Sequence, residues 1–160
     1  MKRFALLSSV LVVFHSGASQ AAPEMACTEM ACIDGLVLNV HPDRTWLPGN
    51  YEFTFKLDGR EVHCMGALPL KSCEVGPSVQ CDGEGVQITE SGCAMPPETH
   101  GFGSITFSEA PAAVDIRIVH EGNVLAERSI SPAYETVRPN GPECEPSCRS
   151  ASEDLFPRGL

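Results

Sequence analysis

Two close pairs of cysteines, one near each end of the chain, constrain its fold more than any other feature. The chain reads CTEMAC near its beginning and CEPSC near its end. An even number of cysteines in an exported chain predicts disulfides, whereas a structural zinc site usually shows C-x2-C pairs, which this sequence lacks. We therefore expect four disulfides among Cys27, Cys32, Cys64, Cys73, Cys81, Cys93, Cys144 and Cys148.

The spacing of the eight cysteines leaves their connectivity open, because many pairings are possible. We hypothesise that Cys27 and Cys32 bridge to Cys144 and Cys148. A bridge that closes a loop of about 100 residues stabilises a fold by up to about 4–5 kcal/mol in the chain-entropy model. The middle four cysteines would then pair among themselves, with Cys73–Cys81 as the local bridge.

The N-terminal segment has the three parts of a secretory signal peptide. Lys2 and Arg3 form a positive start, residues 4–14 are an apolar run, and Ser19-Gln20-Ala21 places small residues at the cleavage site. The run is too short for a membrane span, and a core helix or strand is the alternative. We expect residues 1–21 to be removed as a signal peptide. Residues 22–160 would then form a single disulfide-rich domain, secreted or periplasmic.

The chain is acidic, which narrows the choice of partners. Its formal net charge is −10, and loss of Lys2 and Arg3 with the signal peptide makes it −12. Such a charge repels phosphate backbones and anionic lipid surfaces. We therefore predict no nucleic-acid partner. No stretch after the signal peptide is long and apolar enough to span a bilayer, so we also predict no membrane span. We expect a monomer that binds an unknown protein or small-molecule ligand.

The clearest strand pattern is NYEFTFKLDGREVHCMG, in which apolar and polar residues alternate on both sides of Asp58-Gly59. This dipeptide is the strongest signal of a two-residue hairpin turn, because both turn positions need positive φ. We expect Cys64 to point into the core, and His63 and Met65 to point outward. The predicted facing pairs are Leu57–Arg60, Lys56–Glu61, Phe55–Val62, Thr54–His63, Phe53–Cys64 and Glu52–Met65.

A second hairpin is predicted in AVDIRIVHEGNVLAERSI. A three-residue loop at Glu121-Gly122-Asn123 would place Arg128 on the apolar side of the hairpin. A bulge or a four-residue loop is the alternative. The predicted facing pairs are Arg117–Glu127, Ile118–Ala126 and Val114–Ile130.

Short strands separated by turns predict the fold class. Further strands are expected at residues 36–40, 86–89, 104–107 and 134–137, and glycines and prolines separate them. Seven or more such strands indicate an all-β domain, a two-sheet antiparallel sandwich of immunoglobulin-like type that disulfides staple together. A small closed barrel is the competing fold. Residues 147–156 are expected to form a short C-terminal helix, and residues 157–160 a frayed tail.

The motifs of catalysis do not occur in the sequence. It contains no G-x-S-x-G nucleophile elbow, glycine-rich phosphate loop, HExxH pair or EF-hand loop. The even set of cysteines leaves no spare thiolate for nucleophilic catalysis. We therefore predict that the protein is not an enzyme and needs no cofactor. The histidines that remain after cleavage are expected at the surface or in loops: His41, His63, His100 and His120.

One weak metal pattern combines imidazole and thioether groups, the ligands that suit copper. His63 and Met65 share a strand face, and a copper site would require the loops that contain Met25, Met30, Met95 and His100 to approach them. Methionines also commonly fill gaps in a core, and we favour this second interpretation.

A second weak pattern is the acidic turn CDGEG that begins at Cys81, with Glu90 beyond it. Carboxylates beside glycines can hold calcium. The full ligand spacing of a calcium loop is missing, so we interpret the stretch as an ordinary acidic turn and predict no metal site.

Two stretches carry a resemblance to a known group of proteins. CDGEGVQITESGCAMPP, residues 81–97, and YETVRPNGPECEPSC, residues 134–148, resemble segments of cysteine-rich exported proteins of predatory deltaproteobacteria. The resemblance runs over most of the chain beyond residue 21. Because that group has no assigned activity, the resemblance implies an extracytoplasmic protein and supplies no catalytic residues.

These expectations favour a non-catalytic binding or structural domain of unknown ligand. The first alternative is a secreted inhibitor of a protease or other hydrolase, because such inhibitors also use disulfides to stiffen an exposed loop. Its candidate loops are residues 71–80 and 94–103. The second alternative is an exported copper-binding protein.

Overall fold

The computed structural model of the protein describes residues 26–156. The predicted signal peptide, residues 1–21, and the predicted frayed tail, residues 157–160, lie outside the described residues. No helix in the described part is long and apolar enough to cross a membrane. The elements are β1 Gly35–Asn39, β2 Gly49–Leu57, β3 Arg60–Leu68, β4 Gln80–Cys81, β5 Val86–Ser91, the 3-10 helix Pro97–Thr99, β6 Gly101–Phe107, β7 Val114–His120, β8 Asn123–Ile130, β9 Glu135–Val137 and β10 Cys148–Asp154.

The strands form two five-stranded sheets that pack together. Sheet 1 has the order β5-β6-β1-β10-β9, and sheet 2 has the order β4-β3-β2-β7-β8. Neighbouring strands are antiparallel except β1 and β10, which run parallel. The predicted all-β, two-sheet sandwich is therefore confirmed, although sheet 1 is mixed rather than purely antiparallel. The immunoglobulin-like topology stays a prediction.

Aromatic side chains from both sheets fill the core. Tyr51, Phe53 and Phe55 form a stacked row on β2. Phe107 of β6 meets Phe55 edge-on at a centroid distance of 5.3 Å, and Phe102 of β6 meets Phe53 in the same way at 5.3 Å. All five side chains are buried. Truncation of such a ring to alanine typically costs about 3–5 kcal/mol, so these contacts are a main attraction between the sheets.

The Asp58-Gly59 hairpin forms as predicted. All six predicted facing pairs occur in the ladder between β2 and β3. Asp58 and Gly59 have φ values of 49° and 93°, the positive values that a tight hairpin turn requires. Cys64 is buried, whereas His63 and Met65 are exposed, which confirms the predicted faces of β3.

The second hairpin has the three predicted pairs together with the bulge that was an alternative. The predicted three-residue loop is wrong, because Asn123 pairs with His120 and only Glu121 and Gly122 form the turn. The three predicted pairs occur between β7 and β8, and the register shifts between Ile118 and Val119. Arg128 lies opposite Ile116, on the apolar side as predicted. Its guanidinium donates to the backbone oxygens of Asp154 and Leu155. The cation therefore caps the end of β10 in the other sheet instead of disrupting the core.

Two disulfides join the N-terminal segment to the C-terminal region, and we call them the end clamp. Cys27 is bonded to Cys144 and Cys32 to Cys148, with Cα–Cα distances of 5.8 and 5.9 Å. The predicted pairing of the two ends is confirmed. Each bridge joins residues more than a hundred positions apart in sequence, with separations of 117 and 116.

Asn140 adds hydrogen bonds to the end clamp. Its Oδ1 accepts from the Thr28 hydroxyl at 2.6 Å and from the Met30 backbone N–H at 2.9 Å. Its Nδ2 donates to the backbone oxygens of Met30 and Glu145 at 2.9 and 2.7 Å. One amide side chain thus accepts from the N-terminal segment and donates to both segments that the disulfides join.

The short helix predicted over residues 147–156 is wrong, because Cys148–Asp154 forms strand β10. In the parallel ladder with β1, Leu36 lies opposite Ala151, and on its other side β10 pairs with β9. β1 pairs with residues 150–154 and β9 with residues 148–150, so each residue of β10 has a strand partner. This pairing outweighs the low strand propensity of its serines and acidic residues. The bridge from Cys148 to Cys32 holds the first residue of β10 beside the segment that leads into β1.

The predicted Cys73–Cys81 bridge is also wrong. Cys81 lies directly opposite Cys64 in the ladder between β3 and β4, and these two residues form a disulfide. Cys73 is bonded instead to Cys93. All eight cysteines lie within the described residues, and none of them is free.

Stepwise removal of the end clamp should give non-additive losses of stability. If either bridge alone is replaced with serines, the other bridge still closes the long loop and only a short loop is released. The free energy of unfolding should then fall by about 3 kcal/mol. Replacing both bridges also releases the long loop, and we expect a cost of about 8 kcal/mol in the same model. Guanidinium unfolding of the three variants measures these values. A combined cost no larger than the sum of the single costs would contradict the role of the clamp.

Candidate functional site

The two loops that the sequence nominated lie side by side at one end of the sandwich. The first connects β3 to β4 and the second connects β5 to β6. The disulfide between Cys73 and Cys93 joins them, with a Cα–Cα distance of 5.3 Å. We call residues 69–79 and 92–100 together the double loop. The predicted candidate segments, residues 71–80 and 94–103, therefore form a single surface.

Glu90 fixes the first loop from the end of β5. Its Oε1 accepts hydrogen bonds from the backbone N–H groups of Ser78 and Val79 at 2.7 and 2.6 Å. The side chain is half-buried, and hydrogen bonds to a charged acceptor are stronger than those between neutral groups. Because one carboxylate oxygen holds two successive amides, this part of the loop has little freedom to move.

His100 braces the double loop from within. Its Nδ1 accepts from the Leu70 backbone N–H at 2.9 Å, and its Nε2 lies 2.9 Å from the Met95 backbone oxygen. Because Nδ1 accepts, the proton is on Nε2, which donates to Met95. The side chain is buried. His100 therefore lies in a loop, as predicted, but it is buried rather than at the surface, and it connects the two loops at their base.

The tips of the double loop are apolar and exposed. The backbone N–H of Val75 donates to the Ser72 oxygen at 2.9 Å, which makes the first tip a turn. The Lys71 N–H donates to the Ser78 hydroxyl at 2.8 Å and closes the loop below that turn. Val75 is 71% exposed and Met95 is 60% exposed. The loops thus present apolar groups on a constrained backbone.

A cavity of about 330 Å³ lies beside the double loop, between its second segment and the connection that follows β1. Trp46 forms part of its wall and donates from Nε1 to the Phe102 backbone oxygen at 2.9 Å. A Cβ atom at Gly101 would come within 2.8 Å of the Trp46 ring, so only glycine fits there. The cavity is lined by Val40, His41, Pro42, Asp43, Arg44, Thr45, Trp46, Ser91, Glu98, Thr99, His100, Gly101, Phe102 and Gly103.

Tyr51 lies close to the positive charge of Arg44, below this end of the sandwich. Burial raises the pKa of the Tyr51 phenol, although a hydrogen bond with Leu47 and the charge of Arg44 act in the opposite direction. The hydroxyl donates to the Leu47 backbone oxygen at 2.7 Å. Tyr51 is therefore a neutral donor that holds residue 47, and its ring packs in the core.

Three residues of the weak copper pattern have other contacts. His63 Nε2 lies 2.7 Å from the Glu61 carboxylate, Met30 is tied to Asn140 through its backbone, and both ring nitrogens of His100 are in use. Met25 lies outside the described residues. Within residues 26–156 there is no group of three or more histidine, cysteine or acidic residues that could hold a metal ion.

The acidic turn near Cys81 has a structural role. Asp82 accepts a hydrogen bond from the His63 backbone N–H at 2.8 Å, and the Glu84 backbone oxygen accepts from Arg60 at 3.1 Å. The Asp82 carboxylate caps the β3 edge beside the short strand β4, where an unpaired strand would otherwise expose its N–H groups. Glu90, the third acidic residue of this pattern, serves the double loop instead.

Comparisons with known proteins identify no relatives: no family model, curated protein or solved structure matches the chain. The candidate site therefore depends on its own geometry. Sequence reasoning did nominate the two loops, but it missed the roles of Glu90, His100 and Trp46. No local motif marks these residues, because their partners lie on other elements of the fold.

Replacing Glu90 with alanine should loosen the double loop without disturbing the sheets. Two partly buried N–H groups would lose their charged acceptor, and we expect a loss of about 2–3 kcal/mol in the free energy of unfolding. Glu90→Gln keeps an oxygen acceptor and should lose less. Amide hydrogen exchange should accelerate at residues 78 and 79 in Glu90→Ala. Unchanged exchange at these two amides would show that Glu90 does not hold the loop.

Proposed function

We propose that the protein is a non-catalytic, extracytoplasmic binding domain that contacts a protein partner through the double loop. The observation that carries this proposal is the exposure of Val75 and Met95 on loops that Cys73–Cys93 covalently joins. Binding residues are commonly found on loops that a rigid scaffold positions. The sandwich supplies that scaffold here.

The constraints on the double loop would favour tight binding. Ordering a flexible loop on association reduces affinity, and a loop that is already rigid avoids most of this cost. The disulfide, the Glu90 carboxylate and the His100 ring each restrict the loop before any partner is present. The apolar side chains at the tips would provide the buried centre of the contact.

The proposed location outside the cytosol is supported by the four disulfides. Such bridges persist in oxidising compartments and are rare in the cytosol. Residues 1–21 would supply the export signal. We propose that the exported chain is secreted or periplasmic and acts as a monomer.

A secreted inhibitor of a protease or other hydrolase is the second candidate. The observation that favours it is the exposed Val75, two residues from the stapled Cys73. The tip of this loop is a turn, and Gly76 has a φ of 98°, so its backbone is not extended like a bound substrate. An inhibitor of this shape would block access to an active site and would not imitate the substrate.

Charge placed at the loop tips should abolish partner binding. A photoreactive amino acid at position 77, in protein made by the cells that naturally express it, should give one cross-linked product that excess unlabelled wild-type protein suppresses. As an unlabelled competitor, Val75→Asp/Met95→Asp should suppress this product at least about 30-fold less well than the wild-type protein, because a binding hot spot contributes about 2 kcal/mol or more. Val124→Asp, a matched change at an exposed valine of β8, should compete like wild type.

The same variants separate the two candidate functions. Inhibition of a hydrolase by the wild-type protein that Val75→Asp/Met95→Asp loses would assign the inhibitor function. Equal competition by wild-type protein and Val75→Asp/Met95→Asp would contradict any role of the double loop in binding.

A further inference from the structure

The cavity beside the double loop contains an arginine whose hydrogen-bonding capacity is incompletely used. The Arg44 Nε atom is buried and has no acceptor among residues 26–156. Its guanidinium carbon lies 3.8 Å from the centroid of the Phe156 ring and 5.6 Å from that of Trp46. No carboxylate in the described part of the chain forms an ion pair with it; the described ion pairs involve Arg60, His41 and His63.

This environment orients Arg44 without neutralising it. The aromatic rings hold the planar guanidinium through its face, whereas its N–H donors lie in its plane. A guanidinium offers a fixed fork of five donors that matches a carboxylate. The buried Nε has no surface that a ligand could reach. A carboxylate bound in the cavity would therefore pair with the terminal N–H groups of Arg44, a residue that lines the cavity.

The other charged groups of the cavity restrict which carboxylate can enter. Asp43 and Glu98 also line it, and both are exposed. The chain as a whole carries a net charge of −10. A ligand with only negative charge would be repelled by these carboxylates, whereas a ligand that also carries an ammonium group would be attracted by them.

We propose that this cavity binds a small zwitterion of the α-amino acid class. The carboxylate of the ligand pairs with Arg44, and its ammonium group faces Glu98. Ser91 and Thr99 also line the cavity; their hydroxyls donate to the backbone oxygens of Gly101 and Pro96, so they can act only as acceptors for the ammonium group. A volume of about 330 Å³ is at the small end of the range for ligand pockets, as a ligand of this size requires. The proposal goes beyond the role of the double loop and does not depend on it.

Trp46 provides a direct measurement of binding, because it is the only tryptophan of the chain and lies in the cavity wall. The purified protein is titrated with each of the common free L-amino acids while Trp46 fluorescence is recorded. We expect a saturable change with at least one of them. The N-acetyl derivative of that amino acid lacks the ammonium group and its amide lacks the carboxylate, so each should bind at least about 10-fold more weakly.

Two variants assign the contacts. Arg44→Gln should weaken binding of the amino acid at least about 10-fold. The control Arg149→Gln removes a cation stacked on the distant Tyr134 ring and should leave this binding unchanged. Glu98→Gln changes an exposed side chain that the fold does not require. It should reduce the preference for the free amino acid over its N-acetyl derivative even if Arg44→Gln fails to fold.

The outcomes distinguish this proposal from the proposed function. Val75→Asp/Met95→Asp should leave the Trp46 titration unchanged, because neither residue lines the cavity. No saturable response to any amino acid at millimolar concentration would overturn the zwitterion site and leave the loop function standing. Equal binding of the amino acid and its N-acetyl derivative by the wild-type protein would also overturn it.

Discussion

The end clamp determines where the last strand of the domain lies. Through the bridge from Cys32 to Cys148, the first residue of β10 is bonded to the segment that leads into β1, and the two strands then run side by side as a parallel pair. β10 occupies the interior of sheet 1, between β1 and β9. Sheet 1 is therefore continuous only when both ends of the chain are present. Since sheet 1 contributes Phe102, Phe107 and Ala151 to the core, the clamp, the sheet and the core depend on one another.

The double loop at the other end of the sandwich is also held by a disulfide, but one that joins residues much closer in sequence. This disulfide joins the two loops, and two titratable side chains, Glu90 and His100, complete the connection through backbone groups. Carboxylate and imidazole groups are common metal ligands, but those of Glu90 and His100 are used here to order the backbone. The cavity beside these loops differs, because Arg44 lines it and forms no ion pair with a carboxylate of residues 26–156. This cation without a carboxylate partner is the reason for proposing a ligand in that cavity.

Local patterns predicted the parts of the fold that local forces determine. The alternation around Asp58-Gly59 and the positive φ of that turn specify the whole β2–β3 register, because a slip of one residue would reverse the faces of both strands. The pairing of the chain ends was also predictable, since the longest loops offer the largest entropic gain. By contrast, CRSASED has no β-branched residue, and its position between two strands makes it β10. The partner of Cys73 and the roles of Glu90 and Arg44 likewise depend on contacts between distant segments.

The disulfide connectivity of the protein tests the central claim most directly. Unreduced protein from the periplasm and the medium is alkylated and cleaved after Glu29, which separates Cys27 from Cys32, and fragmentation between Cys144 and Cys148 then assigns each bridge by mass. We predict that Cys27 is bonded to Cys144 and Cys32 to Cys148, as in the structure, with no alkylated thiol. A peptide in which Cys27 is bonded to Cys32, or free thiols at either end of the chain, would contradict it.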